Sequence, residues 1–448
     1  AFFPSVSGGW RVSEEAFWKV NPDLFSNLKI RASYGSLGNG NVSPYSFLEL
    51  LSISTSGRVL NGLKNKYTSA PAVMPDGLTW ETATTTDVGL DFGMLNNRLQ
   101  FNGDYYIRKT TDMYTVGETL PDVFGASSPK GNYADMTTKG WEITLTWRDQ
   151  FTLAEKPFNY EIRGTLSDYI STIDRYNNQT GNLDDYYAGK RVGEIWGYVT
   201  EGLFKDQADI DSHADQTLIQ SSSKRITYPG DVKIKDLNGD HVIDYGNNTV
   251  DDHGDKTVIG NALPRYAYSI NLSGDWNNFF LSAFFQGVGK QDWYPSSECI
   301  FWGQYNRPYN NMPTWHQGNY WTEDNTDAYL PRYAGYNASL KSTPQTRYLQ
   351  NVAYIRLKNL QFGYTLPQPI VSKAKLQNVR VYISAENLWC WSPLYKHTRD
   401  LDVTNIYGSD PDLTDADMSS GLNGNRGSGD GNSYPQMKSV SLGLSVTF

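Results

Sequence analysis

Residues 439–448 read SVSLGLSVTF, and apolar side chains occupy every second position of this segment. Successive side chains of a β-strand point to opposite faces, so one face of this strand is apolar and the other carries only Ser, Gly and Thr. A tilted strand that crosses a bilayer needs roughly 9–11 residues, and this segment has ten. The end of the chain therefore predicts a strand that can span a membrane, with Phe448 at its rim facing lipid.

The same alternation recurs along the chain and predicts about eleven strands. The clearest of them cover residues 82–94, 98–111, 139–149, 158–169, 265–275, 278–289, 350–365, 378–390 and 435–448. Between Leu357 and Leu360 the alternation changes phase, which predicts a β-bulge. Strands of soluble β-sandwiches average about 5–6 residues. Most of these segments are about twice as long, which favours membrane-spanning strands.

The connections between these strands alternate between long and short. The long ones are 36–81, which has room for a hairpin, 112–138, 170–264, 290–349 and 391–434. The short ones are 21–26, 95–97, 150–157, a tight turn at Trp276-Asn277, and 366–377. Outer-membrane barrels have short periplasmic turns and long extracellular loops, whereas a sandwich need not place every long loop at one end. The predicted fold is all-β, a transmembrane antiparallel β-barrel with long extracellular loops.

Composition excludes several other classes of protein. The chain of 448 residues has 39 basic and 48 acidic residues, a formal net charge of −9, which argues against a nucleic-acid partner. Long apolar runs typical of transmembrane helices are absent from the sequence. Its two cysteines, Cys299 and Cys390, form no metal-binding spacing and are expected to be unpaired thiols.

Several short motifs allow a more specific comparison with a known protein family. They are spread along the whole chain and occur in the same order as in that family. They are FPSVSGGW (3–10), LKIRASYG (28–35), VGLDFG (88–93), KGWE (139–142), GEIWGY (193–198), GDVK (230–233), YIRLKNL (354–360) and NLW (387–389). In these motifs the chain resembles the SusC/RagA family, the SusC-like TonB-dependent outer-membrane transporters of Bacteroidetes.

The resemblance implies a barrel of 22 strands, of which this chain would supply about eleven, the second half. Eleven is odd, whereas bacterial single-chain barrels have even strand numbers, and a half-barrel would leave unpaired edges in hydrocarbon. We therefore expect residues 1–448 to be the C-terminal part of one barrel, with the plug domain and the N-terminal strands absent from this chain.

The resemblance also implies a function and partners. These are outer-membrane import of oligosaccharides or other oligomeric nutrients, a SusD-like surface lipoprotein, TonB acting through the missing plug region, and contact with outer-membrane lipid. A peptide importer on the same scaffold is an alternative. A secreted lectin-like β-rich binding protein is an alternative of another class.

One segment has the residue types of a metal site. Asp236, Asn238, Asp240, Val242 and Asp244 follow at alternate positions, like the first ligands of an EF-hand loop, and Asp252 could close the set. The pattern departs from an EF-hand, because position 12 is Asn247 and the glycine stands at position 4. A Ca²⁺ ion in the 236–255 loop is therefore one hypothesis, and a turn built from Asx side chains is the other. No cofactor is otherwise expected.

The 290–349 excursion is rich in large aromatic residues, namely Trp293, Trp302, Tyr305, Trp315, Tyr320 and Trp321. Aromatic rings can stack on sugars, which makes these residues candidates for contact with substrate. Packing within a large loop, or contact with a partner protein, where Trp and Tyr are also enriched, explains them equally well.

Sequence motifs for catalysis are absent. The five histidines lie in predicted loops, and no residue stands at a spacing that would indicate a catalytic partner. The chain has no Gly-x-Ser-x-Gly elbow, His-Glu-x-x-His pair or phosphate-binding glycine loop. Carboxylate pairs such as Asp184-Asp185 are common in acidic loops, so a glycosidase is a weak hypothesis. We expect the protein not to be an enzyme.

Overall fold

The fold is taken from a computed structural model of the chain. The structure describes residues 1–40, 48–69, 73, 77–117, 123, 128–220, 226–295, 299–305, 310–334, 343–404, 406 and 436–448. Its main feature is one antiparallel sheet of eleven strands, as the alternation predicts. Most of the 391–434 excursion lies outside the described residues.

The described residues contain nineteen strands, which are numbered in chain order. They are β1 (Ser5–Arg11), β2 (Phe25–Asn39), β3 (Ile53–Leu60), β4 (Leu63–Thr68), β5 (Glu81–Met94), β6 (Leu99–Val116), β7 (Lys130–Leu153), β8 (Lys156–Arg175), β9 (Glu194–Tyr198), β10 (Thr200–Leu203), β11 (Val232–Ile234), β12 (Lys256–Asn261), β13 (Arg265–Trp276), β14 (Phe279–Lys290), β15 (Asp292–Trp293), β16 (Gln350–Asn351), β17 (Tyr354–Thr365), β18 (Asn378–Trp391) and β19 (Ser439–Thr447). The main sheet has the order β1-β2-β5-β6-β7-β8-β13-β14-β17-β18-β19, so each strand pairs with its neighbour along the chain. The remaining strands form four two-stranded sheets within the long excursions.

Helices are short. In the described part of the chain there are two α-helices, α1 (Gln207–Asp211) and α2 (Gln368–Val371). Single 3-10 turns occur at Val12–Glu14, Thr217–Ile219, Ile300–Tyr305, Thr314–His316, Ser372–Ala374 and Pro393–Lys396. Among the described residues, no helix is long and apolar enough to span a membrane.

The alternation of short and long connections is confirmed, with one exception. Within the main sheet the short connections are 12–24, 95–98, 154–155, 277–278 and 366–377, none longer than 13 residues. The connections at the other end are 40–80, 117–129, 176–264, 291–353 and 392–438; all have at least 41 residues except 117–129, which has 13 and is no longer than 12–24. All the short connections therefore lie at one end of the sheet, which we call the short-turn end. The predicted hairpin within the first long connection is also present, as β3 and β4.

Three details of the prediction need correction. The short connection expected at 21–26 covers 12–24, because a 3-10 turn at Val12–Glu14 ends β1 early. The turn expected at Trp276-Asn277 falls on Asn277 and Asn278, whose φ angles of 48° and 70° are tolerated by asparagine. Strands β7 and β8 have 24 and 20 residues, so they extend well beyond the length that a bilayer requires.

The bulge expected in the 350–365 segment is present in β17. Phe284 of β14 pairs with Asn359, while the next residue, Phe285, pairs with Leu357, so Lys358 is the extra residue. The pairing of β17 with β18 shifts at the same place. The change of phase in the sequence thus corresponds to a real change of register.

The two faces of the main sheet differ in chemistry. One carries exposed aliphatic and aromatic side chains on successive strands, and we call it the apolar face: Ile30, Val88, Leu90, Ile143, Leu145, Ile162, Leu166, Leu281, Phe362, Val381, Ile383, Val440, Leu442 and Leu444. Near the short-turn end this face carries a continuous row of paired aromatic residues, Phe151, Phe158, Trp276, Phe279 and Tyr364. Such a girdle is typical of the border between bilayer and water. The opposite face, the polar face, carries charged residues such as Arg31, Asp91 and Asp104.

Candidate import wall and loop core

The polar face carries an ion-pair network that joins three strands. The guanidinium group of Arg31 on β2 donates to both carboxylate oxygens of Asp91 on β5, at 2.9 and 2.8 Å. It also lies 2.9 Å from Asp104 on β6. To reach Asp104, Arg31 crosses Gly89, where a Cβ atom would lie 2.3 Å from the Asp104 carboxylate. Gly89 is therefore required for the close approach of these charges.

Further polar contacts continue this face toward the short-turn end. Arg148 and Glu161 pair at 2.5 Å between β7 and β8, and Asn159 donates to Asp275 on β13 at 2.8 Å. The guanidinium of Arg380 lies 4.4 Å from the ring centre of Phe280. A wall with these side chains suits a water-filled lumen, because charges are poorly tolerated against hydrocarbon.

At the other end of the sheet, the described parts of three long excursions are packed together. Residues from the 176–264, 291–353 and 392–438 connections share one hydrophobic cluster, which we call the loop core. Its buried members are Tyr198, Leu203, Val232, Ile234, Ile243, Trp293, Cys299, Phe301, Trp302, Tyr305, Leu330, Tyr348, Val352, Tyr354, Leu394, Leu401, Val403 and Ile406. The described parts of these three excursions therefore constitute one folded unit above the sheet.

The six aromatic residues singled out in the sequence divide into two groups. Trp293, Trp302 and Tyr305 are fully buried in the loop core, so in this structure their rings pack against neighbours and offer no face to a ligand. Trp315, Tyr320 and Trp321 are half-buried at its edge. Packing therefore explains the first three, and a ligand or partner role for the half-buried three stays a prediction.

His316 is fully buried among these aromatic residues. Its Nε2 atom lies 2.9 Å from the carbonyl oxygen of Phe301, and its Nδ1 atom lies 2.8 Å from the Tyr333 hydroxyl. A carbonyl oxygen can only accept, so Nε2 carries a proton, and in the neutral ring Nδ1 accepts from the Tyr333 hydroxyl. Burial lowers the pKa of His316 from 6.5 to about 4.

The acidic loop at 236–255 is organised by hydrogen bonds from carboxylates to backbone amides. Asp236 accepts from the amides of Gly239 at 2.6 Å and His241 at 2.9 Å, and the Gly239 contact lowers the pKa of Asp236. Asp240 accepts from Val242, and Asp244 from Gly246. In the described part of the chain, no three acidic, histidine or cysteine side chains gather in a way that would hold a metal ion. The calcium hypothesis stays a prediction.

The sequence analysis assigned no role to Asp255, the residue that holds this loop together. Its carboxylate is completely buried and accepts from the amides of Leu237 at 2.7 Å and Asp244 at 3.0 Å. Asp255 thus joins the start, middle and end of the loop. A carboxylate at the end of an acidic run gave no signal of this role, because its burial depends on tertiary contacts.

Exposed tyrosines are a second feature that the sequence did not single out. Tyr186, Tyr228 and Tyr245 lie in the 176–264 connection, and each has more than two-fifths of its surface exposed. Lys190, Arg332 and Lys256 lie against their rings, at 5.7, 4.4 and 5.7 Å from the ring centres. These tyrosines therefore present aromatic surface that the buried tryptophans do not.

Comparison with known proteins gives a consistent result. Over its full length the chain is 28% identical to TonB-dependent receptor P26 and 29% identical to TonB-dependent receptor P3, both of Formosa agariphila. It is 23% identical to TonB-dependent receptor SusC of Bacteroides thetaiotaomicron. The chain spans 40–42% of the length of these curated relatives. No protein-family model matches it.

Solved structures agree on the fold. The structure of the RagAB peptide transporter superposes with a TM-score of 0.66 and 20% identity, covering 88% of this chain and 40% of that chain. The RagAB peptide importer in its open-open state gives a TM-score of 0.65 at the same identity. The resemblance read from the sequence motifs is thus confirmed: the chain is homologous throughout its length to the TonB-dependent receptors that include SusC, and its main sheet is outer-membrane β-barrel wall.

Proposed function

We propose that this chain forms part of the wall and the extracellular cover of a TonB-dependent importer of oligomeric nutrients. The observation that carries the proposal is the main sheet, which is apolar on one face and charged on the other, with every long connection at one end. This arrangement separates lipid from an aqueous path. Homology to TonB-dependent receptors over the whole chain supports energy-coupled import along that path.

An oligosaccharide is the cargo we propose, and a peptide is the alternative class. The exposed rings of Tyr186, Tyr228 and Tyr245 support the glycan, because flat aromatic surface can stack on a sugar. A SusD-like surface lipoprotein is the proposed extracellular partner, and TonB is the proposed source of energy. A secreted lectin would bind the same glycans but would not move them.

The test is uptake by cells that lack only this gene. We expect the deletion strain to lose uptake of a labelled oligosaccharide while it still takes up labelled peptides, and the wild-type gene to restore the loss. Dissipating the proton-motive force should abolish uptake and leave surface binding intact. Unchanged uptake of both cargo classes by the deletion strain would refute the import function, whereas loss of peptide uptake alone would replace the glycan with a peptide.

The tyrosines allow a sharper test of the cargo. The double variant Tyr186→Ala with Tyr245→Ala should lower the uptake rate at low oligosaccharide concentration. Tyr34→Ala is a matched control, since Tyr34 is equally exposed but lies on β2 of the main sheet. Equal effects of the double variant and the control would exclude these tyrosines from glycan capture.

A further inference from the structure

We propose that the lipid-facing surface of β8, β13 and β14 holds a phospholipid of the periplasmic leaflet, with one acyl chain in a groove above Gly274 and the headgroup at Lys156. This assignment requires only the barrel wall, so it is independent of the cargo.

The groove arises from one missing side chain. Gly274 of β13 pairs with Tyr160 on one side and Leu281 on the other, and both neighbours have large side chains. The result is a groove of about 370 Å³, whose lining is almost wholly apolar. Its walls include Phe151, Phe158, Tyr160, Leu272 and Leu281, and Glu161 and Ser273 also line it.

Position decides what can fill this groove. It lies on the apolar face, immediately inward of the aromatic row that includes Phe158 and Trp276. Strand residues rise about 3.3 Å each, and Gly274 is two residues from the end of β13 at Trp276. The groove is therefore within the periplasmic half of the bilayer, where hydrocarbon chains surround the barrel.

Polar groups at the rim fit a phospholipid headgroup. Lys156 begins β8 and shares a face with Phe158 and Tyr160, since every second residue of a strand points the same way. Its ammonium group is anchored by the side chain of Asn277. Trp276 donates its indole N–H to the Leu153 carbonyl at 2.9 Å, which holds the ring at the border of the bilayer. A cation at this level attracts an anionic lipid phosphate.

Filling the groove tests the site without disturbing the sheet. At position 274 an added Cβ atom would lie 3.2 Å from the Asn159 carbonyl oxygen and 3.3 Å from Phe158, which small shifts can accommodate. Gly274→Leu should therefore fold and occupy the groove. Gly164→Leu is the matched control, because a Cβ there meets open space on β8.

The intact receptor would be purified in mild detergent and titrated with dipalmitoyl phosphatidylethanolamine, and the bound lipids would be counted by native mass spectrometry. Wild type and Gly164→Leu should each retain one phospholipid that Gly274→Leu loses. Lys156→Gln should weaken its binding about fivefold, the effect of one lysine near a lipid surface. Equal retention by wild type and Gly274→Leu would overturn the proposal. A second outcome would also overturn it: the wild type dimerises, Gly274→Leu abolishes the dimer, and the amount of bound lipid stays the same. A second copy of the chain would then cover the groove.

A measurement on the unmodified receptor guards against a variant that fails to fold. A phospholipid with a photoreactive group in its acyl chain should label peptides 151–162 and 272–281 more strongly than peptide 440–446, which lies on β19 and also exposes apolar side chains to lipid. Equal labelling of these segments would show a general lipid contact and refute a specific site.

Discussion

Acidification should loosen the loop core through His316. The imidazole is fully buried and neutral, and each ring nitrogen has one hydrogen-bond partner. Protonation would place a second N–H against the Tyr333 hydroxyl and a charge among aromatic rings. We therefore expect the folded loop core to resist protonation and to lose stability when the pH falls.

The size of the effect follows from the pKa. Burial lowers the pKa of His316 from 6.5 to about 4, so the unfolded chain binds the proton more readily. The stability contributed by the neutral ring is fully present above 6.5, declines below it, and is lost by about pH 4. The full loss corresponds to about 3 kcal/mol, of which about 2 kcal/mol is already lost at about pH 5.

Hydrogen exchange can measure this change in peptides covering 299–305 and 313–321. After correction for the intrinsic pH dependence of exchange, the opening free energy should fall between about pH 7.5 and pH 5 by the amount given above. His316→Gln keeps one donor and one acceptor but cannot ionise, so its opening free energy should fall much less over this range. The remaining fall would come from His397, whose pKa is also lowered by burial and whose ring lies 5.7 Å from that of Trp315. His241→Gln, at an exposed loop position, should behave like the wild type. The same pH dependence in wild type and His316→Gln would refute the reasoning.

Three further predictions concern the wall and the acidic loop. Gly89→Ala should push Arg31 away from Asp104 and lower the free energy of unfolding of the barrel by about 1.5–3 kcal/mol. The assay is the temperature at which the gel mobility of the folded barrel is lost, and Gly164→Ala should leave that temperature unchanged. Asp255→Asn should weaken the hydrogen bonds to two backbone amides and lower the local stability of the loop by about 1–3 kcal/mol. Protease should then cleave faster within 236–255, and the exposed Asp251→Asn is the control. The calcium hypothesis predicts that a chelator speeds the same cleavage and that added Ca²⁺ reverses the effect. Unchanged cleavage in chelator would refute the calcium hypothesis.

The strands of the sheet were predictable because their side chains obey a short period. Alternation identifies the segments, and a phase change such as that at Lys358 marks a bulge wherever the period breaks. Asparagine pairs mark turns because they tolerate positive φ, as Asn277 and Asn278 show. These signals are local, so a single sequence contains them.

The loop core could not be read from the sequence in the same way. Trp293 and Tyr186 both lie in long connections between strands, yet the first is fully buried and the second is largely exposed. Which of them is buried depends on contacts between excursions that are distant in the sequence. Asp255 was missed for the same reason, since its role depends on how the loop closes around it.

The orientation of the wall in the membrane is the central claim, and cysteine accessibility in intact cells tests it most directly. The two native cysteines, Cys299 and Cys390, would be replaced by serine. Single cysteines would then be placed at exposed positions of long connections, Asp251 and Gln317, and of short turns, Glu155 and Lys373. A membrane-impermeant maleimide should label the first pair in intact cells and the second pair only after the outer membrane is permeabilised. Labelling of Glu155 and Lys373 variants in intact cells, or protection of the Asp251 and Gln317 variants, would contradict the account.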